Sequence, residues 1–420
     1  MISTPTVNSM ASIRITLVLI GAVQSSVFVA TALGQPASQP GATGPAVRFE
    51  KITLTQRYFC DGITTGDINR DGHLDVVAGP YWYAGPTFRD AHAFYSPVPL
   101  PPEQSPSDSM FSFVHDFNAD GWPDILVLGR VHMHAAYWYE NPKGEDKLWP
   151  KHYAFERVRG ESPPFVDLDG DGRPQLICHW DNCWGWIEPN WKAPAEPWAF
   201  HALSEPGDWQ EFYHGTGVGD LNGDSRLDLV LNDGWFEQPK DAGTLWTWHP
   251  HRFSPDRGGA QILVYDVDGD GDNDVVSSLN AHGWGLAWFE QRHAKDGAVD
   301  FEIHPMMGTR DEIDRYGVAF TQPHVLACGD LNGDGLPDVV VGKRRWAHGP
   351  KGDIEPDAEP VLYWFELTRE KKGTHFTPHL IDSESGVGVQ ITITDVNGDG
   401  KNDVLTASKL GSFVFLNERE

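Results

Sequence analysis

Short apolar runs separated by polar turns recur along the chain: VVAG after Asp75, ILVLG after Asp124 and VVVG after Asp338. Each has the length of a strand and is bounded by Asp, Asn and Gly, and long stretches of helix-forming residues are few. A second run is aromatic: YWYA from Tyr81, YWYE from Tyr137, GWIE from Gly185, GWFE from Gly234, AWFE from Ala287, YWFE from Tyr363 and FVFL from Phe413. A third carries a histidine, in KHYAF, FHALS, PHRFS, EIHPM and PHLID, with His152, His201, His251, His304 and His379. Runs that return in fixed order predict a repeating all-β unit of roughly four strands, the content of a propeller blade.

The strongest periodic signal lies between these strands. A nine-residue pattern starts at Asp67, Asp116, Asp167, Asp220, Asp266, Asp330 and Asp395, at intervals of 49, 51, 53, 46, 64 and 65 residues. Seven copies at one domain-scale spacing predict seven blades. The last unit runs out of sequence after its aromatic strand, and the segment from Phe49 to Ile52 precedes the first loop much as the histidine strands precede later ones. The expected fold is therefore a seven-bladed β-propeller with four-stranded blades over 48–420, its N-terminal strand closing the last blade and removing an exposed edge.

The repeated loop reads D-x-[DN]-x-D-G-x-x-D, with oxygen donors at positions 1, 3, 5 and 9 and a Gly that permits the sharp turn. Hard oxygen ligands at this density select Ca²⁺. The expected ligands are Asp67, Asn69, Asp71 and Asp75; Asp116, Asn118, Asp120 and Asp124; Asp167, Asp169 and Asp171; Asp220, Asn222, Asp224 and Asp228; Asp266, Asp268, Asp270 and Asp274; Asp330, Asn332, Asp334 and Asp338; and Asp395, Asn397, Asp399 and Asp403. Gln175 replaces the ninth-position Asp of the third loop and Ser225 the Gly of the fourth, so the third site is expected to bind most weakly. Enclosed in hairpins, several such ions would be structural, holding together carboxylates that otherwise repel.

Charge fits this picture. The formal net charge is -28, which argues against a nucleic-acid partner, and seven calcium ions would bring it to about -14. The N-terminus carries Arg14, an apolar run from Ile15 to Ala32 and small residues at Ala32-Leu33-Gly34, which predicts a signal peptide over 1–34 and a Pro-rich linker over 35–47. Export to the periplasm or beyond the cell is expected, with no membrane span after cleavage. Four cysteines are too few for a disulfide framework; Cys178 and Cys183 either pair or are buried separately.

If the acidic loops join strands one and two, the connections on the opposite face ring the central channel. They contain His132 and His134, His179, Tyr213 and His214, His282, His324, Lys343, Arg344 and His348. Histidines converging with cations and aromatic residues make a candidate polar site, with His as general base or ligand of an additional divalent metal and Arg or Lys holding an anionic intermediate. Trp180, Trp184, Trp284 and Trp346 are candidates to stack on sugar rings. The strand histidines read as framework.

On the seven loops, the chain resembles the FG-GAP or VCBS repeat proteins, whose calcium-loop propellers include the integrin α-chain head. The resemblance covers 48–420 and implies a seven-bladed propeller with calcium between a blade's first and second strands; phrases such as HGTGVGDLNGD resemble secreted bacterial members. Two functions stay open: a carbohydrate-active enzyme of lyase, dehydratase or hydrolase type acting at the His-rich face on a carbohydrate or small molecule, or a non-catalytic propeller binding glycan or an extracellular protein. Rim residues that differ from blade to blade favour the enzyme, because a single asymmetric site needs such differences.

Overall fold

The computed structural model describes residues 47–103, 106–129, 135–255, 258–293 and 299–419. The expected signal peptide, the linker up to residue 46 and the rim histidines His132 and His134 lie outside the described residues. The strands form seven four-stranded antiparallel sheets. Six use consecutive strands, at 63–93, 111–155, 165–202, 216–250, 262–307 and 323–382, and are numbered here as blades 1 to 6. Blade 7 takes 391–417 and receives Phe49–Thr55 as its outermost strand, antiparallel to Gly411–Asn417 with Lys51 opposite Phe415. The fold is the expected seven-bladed propeller, closed by its N-terminal strand. Among the described residues the only helical segments are the short turns Arg310–Glu312 and Ile313–Tyr316, and no helix is long and apolar enough to cross a membrane.

Burial runs across each blade in the order the apolar runs imply. Second strands such as Asp75–Ala78, Asp228–Leu231 and Asp403–Ser408 are buried at every residue, because neighbouring blades cover both of their faces. Outer strands such as Ala199–Ala202 are partly exposed. Near the axis, Gly66, Gly219 and Gly329 end the first strands of their blades, where an added Cβ would stand 2.6, 2.5 and 2.7 Å from Val114, Val264 and Ile393 of the next blade. Side chains at the ends of third strands tie blades together: Asn141 donates to the Ile68 carbonyl (2.9 Å), Arg369 to Val267 (3.0 Å) and Asn417 to Leu331 (2.8 Å).

The aromatic and histidine runs meet as neighbours. In six blades a fourth-strand histidine stacks on a third-strand tryptophan: Trp82–His92, Trp138–His152, Trp186–His201, Trp235–His249, Trp288–His304 and Trp364–His379. In five of them the outer imidazole nitrogen also lies 2.8–3.0 Å from a glutamate at the strand end: Glu140, Glu188, Glu237, Glu290 or Glu366. These histidines belong to the framework. In blade 4 the stacked residue is His249; His251, the one singled out by sequence, packs between Phe253 and Phe301. The four cysteines are free, and Cys178 and Cys183 pair with Gly185 and Trp180 in their ladder rather than with each other.

Candidate functional site

Each acidic loop joins the first and second strands of its blade, on one face of the ring. The first Asp organises the turn. In the last loop, Asp395 accepts the N–H of Gly398 (2.7 Å), Asp399 (2.9 Å) and Gly400 (2.7 Å). In the third, carboxylate oxygens of Asp167, Asp169 and Asp171 lie within 4.8 Å of one another, as do those of Asp266, Asp268 and Asp274 in the fifth. Such all-oxygen sets fit a hard divalent cation in charge and size.

The ninth position does a second job. Asp338 is fully buried; one of its oxygens accepts the N–H of Leu331 and the other that of Leu367, both at 3.0 Å. The same pair of bonds recurs at Asp75, Asp124, Asp228, Asp274 and Asp403, each linking the loop to the end of the third strand. Burial pushes the carboxyls of Asp124 and Asp338 up to about 8 and those of Asp228 and Asp274 to about 7, against the pull of the two N–H groups. The third loop shows why Gln175 is tolerated. Its Oε1 accepts the Leu168 N–H at 2.8 Å, while the third-strand donor is replaced by Pro189, which has no N–H. One donor is gone, and so is one carboxylate oxygen.

On the opposite face, three imidazoles from three blades converge. His214 precedes the first strand of blade 4, His282 lies between the second and third strands of blade 5, and His324 lies in the first strand of blade 6. His214 Nε2 and His282 Nε2 are 2.8 Å apart, and the three rings are 4.9–6.1 Å from one another. Behind them, Arg344 Nη1 donates to His324 Nε2 at 2.6 Å, and Glu161 of blade 3 lies 3.5 Å from His324 and 3.9 Å from Arg344. Blades 3 and 6 are not neighbours, so this contact crosses the axis. Burial, reinforced by Arg344, pushes His324 down to about 3, and burial with His324 and Arg344 drives His282 well below its ordinary value. Both shifts favour the neutral ring, which keeps a lone pair.

The cluster borders a cavity of about 710 Å³ lined by Glu161, Asp208, Trp209, Phe212, Tyr213, His214, Asp233, Arg252, His282 and His348. The Tyr213 hydroxyl donates to Asp233 at 2.8 Å. His348 is exposed, packs 4.6 Å from His282 and points Nδ1 at Asp353, 3.3 Å away. Burial alone would raise the Asp353 carboxyl, but bonds from the His348 ring and from the N–H groups of His348 and Ala347 hold it below the ordinary carboxylate value. An ionised carboxylate behind an exposed imidazole is the arrangement of an oriented proton acceptor.

Sequence comparison agrees with the loops. The FG-GAP-like repeat family matches residues 116–178 and 330–406, blocks that each contain two acidic loops and strands around them. The chain carries FG-GAP-like repeats. No curated protein matches it. Among solved structures, the crystal structure of BBS1N in complex with ARL6DN, soaked with lead, is similar at 11% identity over 89% of this chain and 95% of that one, with a TM-score of 0.44.

Among the described residues, the rim residues expected from sequence divide into two groups. Tyr213, His214, His282 and His348 line the cavity, and His324 and Arg344 pack behind them. Lys343 and His179 do not: Lys343 is buried and its Nζ bonds Thr321 Oγ1 and the Ile354 carbonyl, while His179 packs 5.1 Å from the Trp184 ring inside blade 3. Trp184 is fully buried and has no face to offer a sugar; Trp209 lines the cavity instead. Glu161, Asp233, Arg252 and Asp353 were missed. Glu161 carried a usable signal: like His214 and His324, it stands six residues ahead of the first Asp of its loop, and in blade 1 the same offset holds Asp61.

Proposed function

We propose that the chain is an exported, calcium-supported FG-GAP-like propeller whose His-rich face is the active site of a carbohydrate-active enzyme of lyase, dehydratase or hydrolase type. The observation that carries this is the convergence of His214, His282 and His324, with Arg344 and Glu161, at a 710 Å³ cavity that Glu161, His214 and His282 line, beside the His348–Asp353 pair. In this reading His348, oriented by Asp353, takes a proton from the substrate, and Arg344 offsets negative charge that develops beside the buried imidazoles. Tyr213, Asp233 and Arg252 provide directional hydrogen bonds for hydroxyl or carboxylate substituents, and Trp209 an apolar wall. Calcium would be held by positions 1, 3, 5 and 9 of the loops, where it neutralises crowded carboxylates at the far end of each blade.

A binding protein is the second reading, favoured by Phe212, which is 51% exposed beside the cavity. One experiment separates the two. The purified chain is mixed with neutral and uronate-containing oligosaccharides; binding is read by tryptophan fluorescence and turnover by new reducing ends or unsaturated products. Turnover that is lost in His348→Ala while binding persists supports the enzyme. Binding with no turnover of any bound sugar makes the chain a lectin, and an absence of binding to every sugar class removes carbohydrate from the reading.

A further inference from the structure

We propose that His214, His282 and His324 are the protein ligands of a divalent transition-metal ion of the zinc class, chemically distinct from the acidic loops and open to the cavity through its remaining coordination position. This names a cofactor for the active site proposed above and rests on that placement of the site, but the geometry behind it concerns the imidazoles alone.

The hydrogen bonds fix where the lone pairs point. His214 Nδ1 lies 3.0 Å from the Phe212 carbonyl. A carbonyl only accepts, so Nδ1 carries the proton and the Nε2 lone pair is left for the cluster. His324 Nε2 faces the Arg344 guanidinium, which only donates, so Nε2 carries a lone pair that Arg344 now occupies, and the proton sits on the unpartnered Nδ1. His282 Nε2, 2.8 Å from the bare Nε2 of His214, must then be the donor of that pair, leaving its Nδ1 buried and without a hydrogen-bond partner. One proton thus occupies the place between two nitrogens that a cation would bridge. Moving it to His282 Nδ1 bares His282 Nε2, and each of the three rings then offers one nitrogen within 4.8 Å of the others.

Distances are compatible with this exchange. A tetrahedral ion with metal–nitrogen bonds of about 2.0–2.1 Å separates its ligand nitrogens by about 3.3 Å. The His214–His282 gap therefore opens by about half an ångström, which the partly exposed His214 at the cavity wall allows. Arg344 must release His324, and Glu161, 3.9 Å from Arg344, is the acceptor placed to receive it and to offset the added positive charge. Three protein nitrogens with an open side facing a cavity match catalytic rather than structural zinc sites. Imidazole ligands also discriminate against calcium, so the loops and the cluster do not compete for one ion.

The test uses the full chain, stripped with a chelating resin and returned to excess Ca²⁺ so that the loops are filled. Co²⁺ is then titrated and followed by its visible absorption, and Zn²⁺ by equilibrium dialysis with elemental analysis. The expected result is one equivalent bound beyond calcium. Affinity should fall at least about 100-fold in His214→Ala and His282→Ala and stay unchanged in His379→Ala, with thermal melts confirming that every variant is folded. Absence of stoichiometric Co²⁺ or Zn²⁺ binding, or equal binding by the ligand variants, overturns the proposal. Oligosaccharide binding is measured separately: metal without sugar sinks only the carbohydrate reading, and sugar without metal sinks only this one.

Discussion

Replacing Asp338 by Asn exchanges one carboxylate oxygen for an NH₂ group and tests what the ninth loop position does when no ion is involved. Both carboxylate oxygens of Asp338 accept buried backbone N–H groups at 3.0 Å, from Leu331 and Leu367. An amide keeps one acceptor and turns an NH₂ group toward the other N–H, leaving two buried donors face to face. At about 1–3 kcal/mol for each unsatisfied buried group, Asp338→Asn should cost about 2–6 kcal/mol, a large part of the stability of a typical domain. The assay is chemical denaturation followed by tryptophan fluorescence, performed in chelator so that calcium contributes nothing. Blade 3 supplies the reciprocal experiment. There Gln175→Asp places a second acceptor where Pro189 offers no N–H, so it should destabilise by about 1–3 kcal/mol, and Pro189→Ala in the same chain should recover part of that loss. The reasoning fails if Asp338→Asn is silent in chelator and costly only with calcium, or if the Gln175 and Pro189 changes are strictly additive.

Other expectations are independent of that cycle. Ser225 holds φ 69° where all six other loops have Gly, so Ser225→Gly should stabilise the chain by about 1 kcal/mol in thermal melts, with no change in ligand binding. Burial pushes Lys343 down to about 8 from 10.5; between these values the unfolded chain binds the extra proton, so stability should rise as pH climbs from 8 to 10.5, an increment that Lys343→Met removes from pH-dependent denaturation curves. His379→Ala, which removes a stacked framework ring and its glutamate contact, should cost about 1 kcal/mol without affecting the cavity, whereas His348→Ala should leave the melting temperature intact. Chelation should lower the melting temperature, and calcium but not magnesium should restore it, as measured by calorimetry.

The architecture was legible because it is written seven times. Loop spacing gave the blade count, the uninterrupted apolar second strands marked the buried layers, and Phe49–Ile52 stood where the ring needed a partner. Registration inside a blade was less visible. PHRFS follows Trp248-His249, and choosing the later histidine is an error of two residues on the same face of a strand, which periodicity alone cannot detect. Rim residues were harder for a different reason. Lys343 and Arg344 are adjacent, yet strand alternation sends the first into the interior and the second to His324. Glu161 reaches its partners across the axis from blade 3, a contact between residues 163 positions apart in sequence that no local pattern encodes. Gln175 looked like a lapse in a motif; its cause lies at Pro189, fourteen residues away on a neighbouring strand.

The first strand of a blade carries two separable trades at its two ends. The rim position and the first loop Asp are six residues apart, about 20 Å along an extended chain. A duplicated unit therefore inherits its ion loop as a fixed fitting and its rim position as a blank. Asp61, Met110, Glu161, His214, Ala260, His324 and Val389 fill that blank with six residue types in seven blades. Selection can rewrite the chemistry at the mouth one blade at a time without touching the parts that close the ring, so descent from a single repeat and possession of a single asymmetric centre are not in tension.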